Sequence, residues 1–102
     1  MRVSADLCII PMGVTASVSD YVVACQVVLE TFDLVVEMHA NGTNLEGELS
    51  EITRAVEACY ERLFAMGVPR ALSTLVFGAR IDKPQTMQDK VDAVRRKRGI
   101  ES

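Results

Sequence analysis

Two short polar clusters hold most of the side chains in this 102-residue chain that could do chemistry. The first is Gly42-Thr43-Asn44-Leu45-Glu46-Gly47, where a hydroxyl, an amide and a carboxylate stand between two glycines. The second is Arg80, Asp82, Lys83, Gln85 and Thr86. A carboxylate accepts hydrogen bonds, a hydroxyl donates or accepts, and glycine lets the backbone turn tightly or be approached closely. On composition alone both clusters read first as turn and capping chemistry, with Thr86 and Asp89 as a capping box and Arg80 with Asp82 as surface charges. His39 is the single histidine, which is weak support for a metal set or for a Ser-His pair with Ser50 or Ser73. No phosphate loop, dinucleotide fingerprint or nucleophile elbow occurs. The expectation is no catalytic residue, no bound metal and no cofactor.

The elements that must position these clusters follow from hydrophobic periodicity. Ala5 to Met12 reads as a first strand, ended by Pro11 and Gly13. Ser17 and Asp20 form a capping pattern before a helix over about 18 to 31, with Val18, Val22, Cys25, Leu29 and Phe32 on one face. Leu34 to Ala40 is a second strand, Asn41-Gly42 a hairpin turn, and Thr43 to Gly47 a short third strand. A second helix begins near Ser50, carries Ile52, Val56, Cys59, Leu63 and Met66 inward, and stops at Gly67 with Pro69 beyond. Ala71 to Ile81 is a fourth strand, and Thr86 with Asp89 caps a final helix.

The order β-α-β-β-α-β plus a terminal helix matches an α+β, ferredoxin-like sandwich, one domain with its core over about 5 to 94 and a basic tail over 95 to 102. In that arrangement the third strand is expected at an edge beside the first, with the fourth on the opposite edge. The two polar clusters then lie far apart in one subunit, and only assembly brings them close. The first and fourth strands are apolar on both faces, so a second cover is expected from another copy, giving a homo-oligomer.

Composition narrows the function classes. Charged residues make up 25% and the net charge is −3, which does not suit a nucleic-acid or membrane-surface protein. Arg95-Arg96-Lys97-Arg98 holds four of the eleven basic residues, leaving seven against thirteen acids up to Val94. That run reads as a solvated helix end favourable to the dipole. Cys8, Cys25 and Cys59 cannot all pair and have no zinc spacing, so reduced thiols in a cytoplasmic protein are expected. Asn41-Gly42-Thr43 formally satisfies a glycosylation pattern but follows no secretion signal. No segment reaches a membrane-spanning length.

Four stretches carry a resemblance: Pro11-Met12-Gly13 with Ser17 to Tyr21, Ala40 to Gly47, Gly78 to Lys83, and Gln85 to Asp92. They resemble the thiamine-binding protein family, small single-domain YkoF-like proteins, from Ala5 to about Val94. The resemblance implies a ferredoxin-like fold, a dimer of dimers joined through extended sheets, and cytoplasmic binding of thiamine or its hydroxymethylpyrimidine part without catalysis. By its motif it carries over Gly42, Thr43, Glu46 and Gly47, and also Arg80. Asn44 joins them as a polar neighbour. The competing reading is a structural or regulatory oligomer without a small-molecule ligand.

Overall fold

The structure, a computed structural model, describes residues 1–14 and 18–99. Its elements run β1 (Arg2–Met12), α1 (Ser19–Glu30), β2 (Val35–His39), β3 (Gly42–Glu48), α2 (Leu49–Ala65), β4 (Arg70–Gly78) and α3 (Met87–Lys97). The strands form one antiparallel sheet in the order β2-β3-β1-β4. This is the ferredoxin-like arrangement, with a third helix added. The edges are β2 and β4, so β3 is an inner strand and not the edge expected from the sequence. The two-residue turn that ties β2 to β3 is Ala40-Asn41, one position before the expected Asn41-Gly42 and without a positive φ, and the pairing of β3 with β1 leaves β2 outermost.

Alternation along β1 sorts the two faces. Val3, Ala5 and Leu7 are buried with Leu45 of β3 beneath Cys25 and Leu29 of α1 and Ile52, Ala55, Cys59 and Leu63 of α2. These apolar positions recur at three and four residues in the helices and at two in the strands, so one sheet face and two helix stripes close a single core. The opposite face carries Ser4, Asp6, Cys8 and Ile10 of β1 and Leu72, Thr74 and Val76 of β4, as the register requires. Ile10, Leu72 and Val76 are 51%, 59% and 64% exposed, so this chain alone leaves that apolar area open.

Several element ends depart from expectation. Ser17 lies outside the described residues, and α1 starts at a Val18 cap with no side-chain hydrogen bond. The α2 helix begins one residue early, and the Leu49 N–H donates to the Met1 carbonyl at 2.9 Å. Its end is as expected, with Gly67 at a φ of +92°. The fourth strand stops at Gly78, opposite Ser4, because the chain there leaves the edge and crosses the open face. At the far side of that crossing the Met87 N–H donates to the Glu46 carboxylate at 2.7 Å, and Lys90 Nζ donates to Ser4 Oγ at 3.3 Å. Glu46 and the segment leading into α3 therefore meet within one subunit, which assembly was expected to be needed for.

The capping box at α3 is present. Thr86 Oγ1 accepts from the Asp89 N–H at 3.0 Å, and Asp89 Oδ2 accepts from the Thr86 N–H at 2.9 Å. The Thr86 backbone donor holds the Asp89 carboxyl below its ordinary range, with the Thr86 hydroxyl helping. A carboxyl lowered on folding stabilises above its unfolded value of about 3.9 and loses that contribution as pH falls through its folded value. Amide exchange at Met87 to Lys90 should accelerate selectively as pH drops below about 4, after correction for intrinsic rates. Equal acceleration throughout α2 would contradict the assignment.

Candidate functional site

A cavity of about 580 Å³ opens between α1, the C-terminal half of β1 and the β2–β3 hairpin. Tyr21, Val22, Cys25, Gln26 and Leu29 of α1 form one wall, Leu7 and Ile9 the floor, and Met38 with Thr43 the other wall. The volume falls within the roughly 300–1,000 Å³ typical of small-molecule sites. The lining is apolar apart from a few groups, chief among them Gln26 and Thr43. Gln26 Nε2 donates to Thr43 Oγ1 at 2.7 Å, joining the helix wall to the strand wall. Thr43 is buried on the core side because it shares the β3 face of Leu45, while Gln26 stands one position from Cys25 on the inward side of α1.

The hairpin rim has its own support. His39 Nε2 lies 2.8 Å from Asp6 Oδ1, and the Asn41 N–H donates to His39 Nδ1 at 3.3 Å. An Nδ1 that accepts leaves the hydrogen on Nε2, so the turn selects the tautomer that donates to Asp6. The ring reaches β1 only by passing over Gly42. A Cβ there would lie 2.7 Å from the Leu7 carbonyl oxygen, 3.0 Å from Asp6 Oδ1 and 3.2 Å from His39 Cε1.

The six expected contact residues separate on this geometry. Gly42 and Thr43 line the cavity. Asn44 and Glu46 project from the opposite sheet face, since each is one residue out of phase with Thr43 and Leu45. Glu46 is buried, bonded to the Met87 N–H, with Arg2 Nη2 at 3.5 Å. Gly47 faces inward away from the cavity, where a Cβ would come within 2.6 Å of Leu34 Cδ2. Arg80 is on the surface before α3, gripping Asp82 through two nitrogens and donating from Nη1 to Gln85 Oε1 at 2.8 Å. That guanidinium draws the Asp82 carboxyl down to about 2.

Gln26, Tyr21 and Met38 are cavity residues that the sequence reading missed. The signal for Gln26 was a polar residue inside the Val22, Cys25, Leu29 stripe. Cys25 lines the cavity, and contact with it, together with burial, pushes the neighbouring Cys59 thiol upward, away from thiolate chemistry. Ser73 is engaged with Tyr60 at 2.6 Å. Among the described residues, no group of three or more His, Cys, Asp or Glu is placed to hold a metal ion. No described helix is long and apolar enough to cross a membrane.

Residues 5–95 match the family model described as thiamine-binding protein. This chain belongs to the thiamine-binding protein family. A UPF0045 protein of Synechocystis sp. is 51% identical over 94 residues, covering 92% of this chain and 78% of the relative. The UPF0045 protein MJ1052 of Methanocaldococcus jannaschii is 40% identical over 93 residues, covering 91% and 92%. The crystal structure of MJ1052 superposes with a TM-score of 0.81 at 42% identity, over 91% of this chain and 95% of that one. A Thermotoga maritima structure described, provisionally, as a thiamine biosynthesis/salvage protein has a TM-score of 0.77 over 93% and 100% of the two chains. At 18% identity it speaks for the fold alone.

Replacing Gly42 by Ala presses a methyl against the Leu7 carbonyl and under His39. Urea unfolding should show a loss of about 1–3 kcal/mol, the range for overpacking against atoms that cannot move. A Gly42→Ala variant as stable as the parent, with the His39 to Asp6 bond intact by NMR, would contradict the geometry.

Proposed function

We propose that the chain is a cytoplasmic, non-enzymatic binder of thiamine or its hydroxymethylpyrimidine part, and that it works as a homo-oligomer. The observation that carries the ligand reading is the cavity spanned by the Gln26 to Thr43 hydrogen bond, in a chain of the thiamine-binding protein family. An aminopyrimidine offers ring nitrogens as acceptors and an amine as donor, and an amide beside a hydroxyl can serve both senses. Apolar walls from Leu7, Ile9, Val22 and Met38 suit the faces of the ring. The described lining holds no Asp, Glu, Lys or Arg, so the neutral pyrimidine belongs inside and the cationic thiazolium toward the mouth. Three free thiols agree with a reducing compartment.

Titration calorimetry should detect binding of both thiamine and hydroxymethylpyrimidine, weakened about tenfold by Thr43→Val, the loss of roughly one hydrogen bond. No heat from either ligand at millimolar concentration would remove the ligand reading and leave the structural oligomer.

The assembly reading is supported by the open sheet face. Ile10, Leu72 and Val76 form an apolar area on a strand pair, and such areas mark contact surfaces. A second copy covers it in the dimer of dimers that we propose. Light scattering should give a mass above one chain for the parent and a smaller species for the double variant Leu72→Glu, Val76→Glu. A monomeric parent would dismiss this part.

A further inference from the structure

The strand β1 runs on past the hairpin beside it. It pairs with β3 only as far as Leu7 opposite Thr43, but with β4 as far as Met12 opposite Arg70. Three observations say which main-chain groups face the vacated edge. The Met1 carbonyl accepts from Leu49, just past β3. The Leu7 carbonyl oxygen lies close to Gly42 of β3. Pro11, which has no N–H, sits within β1 at an odd position, where its nitrogen points away from β4 and the missing donor costs the ladder nothing. In an antiparallel strand each residue turns its N–H and C=O to the same side, and the side alternates. The odd residues of β1 therefore face β3, and Ile9 presents its N–H and C=O beyond the last β3 partner. Ile9 lines the cavity, and among the described residues no strand pairs with it on that side.

A donor and an acceptor on one residue, about a base-edge width apart, complement a ring nitrogen beside an exocyclic amine. We propose that the cavity reads an aminopyrimidine through the main chain of Ile9. The Ile9 N–H donates to the ring nitrogen, and its C=O accepts from the amine, while Gln26 and Thr43 hold the far side of the ring. This deepens the function proposed above and rests on it. It predicts selectivity for neutral rings with that adjacent acceptor and donor, and no recognition of a lone thiazole. Ile9→Pro removes the donor without touching the β4 ladder, which uses the even residues.

The test is a ¹⁵N-resolved titration with hydroxymethylpyrimidine and its analogue lacking the amine, read together with amide exchange. Without ligand the Ile9 amide should exchange faster than those of Cys8 and Ile10, which face β4. With hydroxymethylpyrimidine it should shift downfield and become protected. The analogue should bind about tenfold more weakly, having lost one hydrogen bond, and Ile9→Pro should weaken hydroxymethylpyrimidine similarly while unfolding as the parent does. An Ile9 amide already as protected as Ile10 without ligand overturns the proposal. So does binding that shifts Thr43 and Gln26 but leaves Ile9 unmoved, with both ligands equal, and in that case the binding function stands. No shift anywhere removes both.

Discussion

The cavity depends on a mismatch of strand lengths. The eleven-residue strand β1 is paired with β4 from Ser4 to its end at Met12, whereas β3 reaches only to Leu7 before the turn. Had the hairpin been longer, its strands would have filled the space now enclosed by Tyr21, Gln26 and Ile9. The turn is held where it is by the His39 bond to Asp6, which is possible only because Gly42 has no side chain. A hairpin tip pinned to the middle of β1 thus defines one wall of the cavity, and α1 supplies the other through Gln26.

Glu46 shows how a residue can be important to the fold on a face that the cavity never sees. A buried carboxylate is tolerable when it is charge-paired and hydrogen-bonded. Here the first turn of α3 provides a backbone donor, and the helix N-terminus provides the partial positive charge that favours an anion. Arg2 adds a cation at 3.5 Å. The same bond gives α3 its place: none of its residues is buried, so packing alone does not hold it.

Much of the architecture was legible in the sequence because the signals were local. The spacing of Ile52, Cys59 and Leu63, the Gly67 stop and the Thr86 to Asp89 box each involve residues close along the chain, and each has its counterpart in the structure. The strand order beyond the hairpin was not local, and there β3 was misplaced to an edge. The site was legible only in part, for a related reason. Period-two alternation divides Gly42 to Gly47 between two faces, so a run that reads as one cluster becomes two environments. Thr43 stays with the cavity, and Asn44 and Glu46 leave it. Gln26 lies seventeen positions from its hydrogen-bond partner, and no pattern within α1 announces that pairing.

The crossing from Gly78 to Met87 also has a mechanical meaning. It begins on β4, passes over β1 at Ser4, and is fastened to β3 by Glu46, so two strands that are not neighbours are buckled together across the one between them. At Ser4 and Ala5, β1 is thereby bounded on four sides: β3 and β4 at the flanks, the helices below and this strap above. Chain ends are ordinarily where a sheet begins to unravel. Here the first strand cannot be drawn out sideways until the buckle opens, which makes the start of the chain one of its better secured parts.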